Sequence, residues 1–383
     1  MIICFECQPG TKKLLDQLAS SGGYADYADV IAAAVANQAL LHSKVGSQRS
    51  FVITAPESVG ESQHERGPSA VPAVVQVGGL TPGVAAARES GATVGSKSRL
   101  LIPELFTLDG LSETVVPRVD PPDDVWGAGQ EVPISRWLFG QYNKLLPAKA
   151  SCRAIGRLLT AEPEGVALAA ASSKIADAAA LLGGYLSELD GINGVIRDEA
   201  LATAFPKSGE GGDKSRLRFA SQFVAWTNSH GQLSGLLMGL KLINRTKHKE
   251  LRIKLTNVGW QLALLRSPVL DAEGVRKARK LSDEECLLLL EHISSAVPAE
   301  DFAYRAVLNG IEEGANTPES LDAFLTRTVS PGEELTKEFI ATQRSGVVSR
   351  MVDLGMITRV REGVRVSYAV SQRAHDYVMQ RSQ

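Results

Sequence analysis

"TQRSGVVSRMVDLGMITRVREGVRVSYAV", residues 342 to 370, decides how this chain is read. Its first half has a helical period. Val347, Val348, Met351, Val352 and Leu354 fall inward, and Gly355 stops the run. Its second half alternates, with two strands on either side of a Glu362-Gly363 turn. Thr342, Gln343, Arg344, Ser345, Ser349 and Arg350 are expected to project from the start and the exposed face of the helix. Arg359 and Arg361 share one face of the hairpin while Val360 points the other way, and Arg365 stands on the return strand.

Outward from this stretch the pattern stays helical. "AEDFAYRAVLNGIEEG" and "TPESLDAFLTRTV" precede it, and "SQRAHDYVMQ" closes the chain as a helix capped by Ser371. The order of helix, helix, hairpin and helix from about Glu334 onward resembles the winged-helix family of helix-turn-helix domains. That resemblance implies that Thr342–Leu354 takes the recognition-helix position and that the strands around Glu362-Gly363 form the wing. It also implies double-stranded DNA as partner. A recognition helix reads bases from its N-terminal residues. Gln343 and Arg344 suit bidentate contacts with base edges. Thr and Ser hydroxyls suit phosphate oxygens. Winged helices also serve as protein-docking modules, so a protein partner stands as the alternative.

"LMGLKLINRTKHKELRIKLTNVGWQLALL", residues 237 to 265, repeats the theme and also looks like a winged helix. A polar turn splits two alternating runs, and Thr256 is placed to cap the next helix. Arg245, Lys247, Lys249 and Arg252 crowd this hairpin as candidate DNA contacts. Eleven lysines and arginines stand against three carboxylates between 241 and 280. The preceding helix adds Lys214, Arg216 and Arg218. Trp226, Trp260, Tyr142 and Phe219 sit among apolar residues and are expected in the core.

At the other end, "IICFEC" reads as a strand, and "PGTKKLLDQLASSGG" and "DYADVIAAAVANQALL" read as helices. This strand-helix-helix unit resembles the ribbon-helix-helix family, in which two chains pair their strands into one ribbon. The resemblance implies a homodimer. The strand carries Glu6 and no base-reading donor, so a pairing role is expected there over DNA contact. Residues 45 to 130 are rich in Gly, Pro, Ser and Ala and read as a flexible linker, with an apolar docking island at 100–111. "GATVGSKS" lacks the spacing of a phosphate loop.

Between 133 and 240 the sequence reads as helices. "PISRWLFGQYNKLL" and "PAKASCRAIGRLL" each begin with Pro, and "PEGVALAAASSKIADAAALLGGYLSELD" is expected to break at Gly183-Gly184. Ser282 and Glu285 have the spacing of a capping box.

The chain has 383 residues, 44% hydrophobic, with a formal net charge of -2. A sizeable core is possible, and a general affinity for polyanions is not expected from the total charge. No apolar run is long enough to span a membrane. The first residues lack the pattern of a secretory signal. Cys4, Cys7, Cys152 and Cys286 are scattered, as in a reducing cytoplasm. No histidine pair, nucleophile elbow or dinucleotide loop is found. No metal, cofactor or catalytic residue is therefore assigned.

The expected fold class is mainly α with small β-hairpins as wings, a multi-domain winged-helix architecture with an N-terminal strand-helix-helix module. The expected domains are 1–44 for pairing, 45–130 as linker, 131–270 as a winged-helix-like domain and 271–383 as a winged-helix domain. The expected function is sequence-specific, non-enzymatic DNA binding as a homodimeric transcriptional regulator in the cytoplasm. The alternative is a non-enzymatic subunit of a larger nucleoprotein complex, of a mobile element or defence system, whose winged helices hold partners.

Overall fold

Side chains that accept from exposed backbone N–H groups mark where the helices of the C-terminal half begin. Ser282 and Glu285 form the reciprocal capping box read from the sequence, at 3.2 and 2.7 Å. Thr317 caps one helix, Thr336 the next, and Thr256 accepts from Gly259 N at 3.2 Å. The computed structural model describes residues 101–111, 116–123, 125–127, 129–195, 199–207, 212–246, 250–271 and 279–379. The segment expected to pair, Cys4 and Cys7, and the expected linker up to residue 100 lie outside the described residues.

The described chain is mainly helical with small antiparallel sheets of two or three strands. Helix α1 spans Leu146–Ala161, β1 Val166–Ala167 and α2 Leu168–Ile192. Helix α3 spans Gly212–Phe219 and runs on into a wider turn, Ala220–Val224. The short hairpin β2–β3 (Trp226–Thr227, Leu233–Ser234) and α4 (Leu236–Gly239) follow. Strands β4 (Ile243–Arg245) and β5 (Arg252–Leu255) pair as the sequence suggested, and β1 joins the free edge of β5. Next come α5 (Asn257–Leu264), α6 (Asp283–Ala296), α7 (Pro298–Glu312) and α8 (Pro318–Thr328). Helix α9 (Lys337–Asp353), β6 (Ile357–Glu362), β7 (Arg365–Val370) and α10 (Gln372–Met379) complete the order.

All of this belongs to one compact unit, Gly91–Gln383. A single apolar cluster runs from Phe106 to Tyr377. The island at 100–111 packs on its own chain, with Phe106 and Leu111 fully buried and Arg153 donating to Phe106 O. The chain on either side of residue 270 is bridged by Lys149 of α1 and Glu285 of α6, an ion pair of 2.9 Å with both side chains buried. Burial outweighs the attraction of Glu285 and brings Lys149 down to about 8. Burial likewise raises Glu285.

Three local expectations change. The segment 133–146 is no amphipathic helix: it has one 3₁₀ turn at Ile134–Arg136 and is otherwise irregular. Its N–H groups go to side chains instead, Ile134 N to Ser330 Oγ and Gly140 N to Gln343 Oε1. Helix α2 runs unbroken through Gly183-Gly184. Gly183 serves close approach there, since a Cβ would stand 2.6 Å from Pro206 O. Trp226 is 42% exposed on β2, whereas Tyr142, Phe219 and Trp260 are buried as expected.

Candidate nucleic-acid interface

Helix α9 begins at Thr336, whose hydroxyl accepts from Phe339 N at 3.2 Å. It ends before Gly355, whose φ of 71° suits a residue without a side chain. Val347, Val348, Met351 and Leu354 enter the core as the pattern predicted. The opposite, polar side is open to solvent only in part. The segment 134–146 crosses it, backbone against backbone, at Gly140 and Gly346, where no Cβ has room.

This crossing overturns the expectation for half of the recognition-helix residues. Gln343 is buried and donates to Ile134 O at 3.2 Å. Ser349 is buried as well. Arg350 is fully buried, bidentate to Glu300 at 2.5 and 2.9 Å and bonded to Tyr142 O at 2.7 Å. Arg344 is half-buried, bidentate to Asp322 at 2.9 and 3.1 Å and bonded to Tyr368 Oη at 3.2 Å. A burial of this kind uses polar groups to hold the chain to itself. Thr342 is half-buried and donates to Glu338 O, and Ser345 is exposed.

Thr342, Arg344 and Ser345 line one wall of a groove of about 900 Å³. Gln141, Asn143 and Lys144 of the crossing segment line another wall, with Thr203 to Lys207 and the face of α3 carrying Ser215, Arg218 and Gln222 closing it. Among the described residues, four cations line this groove, Lys144, Lys207, Arg218 and Arg344, and no Asp or Glu does. Among the described residues, Lys207 and Arg218 form no ion pair, and both are exposed. Of these cations only Arg344 and Arg218 stood out in the sequence. Lys144 and Lys207 lie far apart in the chain in unremarkable contexts, and no spacing rule links them.

The hairpin β6–β7 forms where the alternation placed it, with Arg359 opposite Tyr368 and Arg361 opposite Val366 on one face. Its two-residue turn is Gly363-Val364, one step later than read. Gly363 has a φ of 63°, as a tight hairpin turn requires of its first central residue. Arg361 and Arg365 are exposed near this tip, and Arg359 is half-buried at the root. A second groove of about 860 Å³ opens at that root, lined by Arg279, Lys280, Arg359, Arg361 and Arg373 among four carboxylates.

The other hairpin divides differently. Arg245 is exposed, but Arg252 is tied to Glu162 at 3.2 Å, Glu250 at 3.3 Å and Gly165 O. Its candidacy as a DNA contact is corrected: both of its donor edges already have partners. Lys247 and Lys249 lie outside the described residues.

Among the described residues, no group of three or more His, Cys, Asp or Glu is placed to hold a metal ion. No described helix is long and apolar enough to cross a membrane. Comparison with known families, curated proteins and solved structures finds no match to this chain.

Proposed function

We propose that this protein binds double-stranded DNA without catalysis, as a subunit of a larger nucleoprotein assembly. In this reading Pro298–Val370 is a winged helix whose recognition-helix position packs inward and whose wing points outward. The order α7, α8, α9, β6 and β7 supports it, as does the bond from Tyr368 N on β7 to Asn316 O just before α8, at 2.8 Å. The observation that carries the function is a groove whose described lining holds four cations, only Arg344 of them tied to a carboxylate, in a chain whose acids outnumber its bases by 43 to 41. Such a surface attracts phosphates through charge and is blind to sequence.

The reading as a sequence-specific regulator would need Gln343 and Arg350 on base edges, and both are engaged inside the fold. The assembly reading needs no such exposure. Pairing through residues 1–44 remains part of the proposal on the strength of the sequence pattern alone.

The test is a salt titration of the full chain on a random-sequence DNA duplex, read by fluorescence anisotropy. Affinity is expected to fall steeply as salt rises. Lys207→Ala with Arg218→Ala should flatten the log–log slope by about two, at roughly 0.9 per phosphate contact. No binding at low salt, or an unchanged slope in the folded double variant, would contradict the proposal.

A further inference from the structure

We propose that the root of the β6–β7 hairpin holds a phosphate-binding seat made by Lys144, Lys280 and Arg359 around Asp353. The three cations come from three separate parts of the chain. Lys144 is on the segment crossing α9, Lys280 precedes α6, and Arg359 is on β6. Asp353, at the end of α9, is almost wholly buried. It accepts from Lys280 Nζ at 2.9 Å and from Leu145 N at 3.0 Å. Both of its oxygens are thereby used. Lys280 and Arg359 line one groove with Asp353, and Lys144 reaches the same carboxylate's surroundings as the residue before Leu145.

Counting charges, three cations and one carboxylate leave an excess of two positive charges. The other three carboxylates lining the same groove, Asp190, Glu199 and Asp283, are engaged as well. Asp190 accepts from the backbone of Leu201 and Ala202, at 3.0 and 2.9 Å. Asp283 takes Arg373 at 2.5 Å and Arg279 at 3.2 Å. Neither Lys144 nor Arg359 has an ion pair among the described residues. Three cations gathered around one carboxylate, partly withdrawn from water, repel each other, and a second anion would relieve them. A phosphate brings two negative charges and enough acceptor oxygens for all three donors.

The charge state of Lys144 supports the same view. Burial, opposed by Asp353 and reinforced by Lys280 and Arg359, brings it down to about 8. On its other side Lys144 faces the groove of Lys207, Arg218 and Arg344, of which Arg344 is tied to Asp322. An anion bound here would restore the proton. Phosphate binding near pH 8 should therefore take up about half a proton per site.

This seat rests on local geometry and extends the nucleic-acid reading. The phosphate could be a strand-terminal monoester, a backbone diester or a small free compound, and the test separates them. Inorganic phosphate is titrated into the full chain by calorimetry at pH 8, in two buffers with different heats of ionisation. Saturable binding with proton uptake is expected. Lys144→Gln and, independently, Arg359→Gln on the hairpin should each weaken it at least about tenfold, the worth of one charge-assisted bond. Lys144→Gln should also abolish the uptake. Competition by duplexes with and without 5′-phosphate then assigns the source. Preference for the phosphorylated duplex indicates the strand end, equal competition the backbone, and no competition a free phosphate compound. Absence of phosphate binding, or binding indifferent to both substitutions, overturns the seat. If a duplex still binds in that case, only the seat falls. If phosphate binds and no duplex does, the seat stands and the DNA reading falls.

Discussion

The two arginine-bearing hairpins look alike in the sequence and differ in the fold. In β4–β5, β1 pairs with the open edge of β5 and brings Glu162 and Glu164 with it. Arg252 and Lys254 are then drawn onto those carboxylates, at 3.2 and 3.8 Å. In β6–β7 no third strand is added among the described residues, and Arg361 and Arg365 are exposed on either side of a tight turn. A basic hairpin is thus an internal clasp or an outward finger depending on which residues, remote in sequence, reach its free edge. Helix α9 repeats the lesson, because the crossing of 134–146 turns its polar side from a surface into a seam.

Breaking that seam should produce the largest effects. Arg350→Ala leaves Glu300 buried without its partner and should cost about 3–5 kcal/mol in denaturant unfolding. Had Arg350 been a base-reading residue, the variant would keep its stability and lose only DNA affinity. Gly346→Ala places a methyl group against the Gly140 backbone and should cost about 1–3 kcal/mol, as overpacked cores do. The same change at Gly363, whose Cβ would meet nothing, should cost less, through turn strain alone.

A further effect concerns pH. Lys144 and Lys149 both sit near 8 in the folded chain and at 10.5 otherwise. The unfolded chain therefore holds more protons between those limits, and stability should rise with pH from about 8 to 10. Lys144→Gln should remove part of that rise. A flat profile in the unsubstituted protein would contradict the burial assigned to both lysines.

Much of the fold was legible because it rests on local rules. The capping residues Ser282, Thr256 and Ser371 stand where their chemistry requires, and the apolar positions of α9 follow its period. The strands β6 and β7 and their faces follow from alternation. The candidate site was legible only in part. Arg361, Arg365 and Arg218 are exposed as their context suggested. Gln343, Ser349 and Arg350 carry the composition of a reading face, but composition does not reveal what packs on it. The partner that covers them lies some 200 residues earlier, at Ile134–Leu146, where Pro133 suggested a helix start. Lys144 and Lys207 gain meaning only through that crossing.

The most direct test compares the two hairpins in one DNA-binding assay. Arg361→Gln with Arg365→Gln is measured beside Arg252→Gln on the same duplex, with folding verified for both. The account predicts that the β6–β7 pair loses affinity and salt dependence while Arg252→Gln binds as the parent does. Equal losses, or a loss confined to Arg252→Gln, would contradict it.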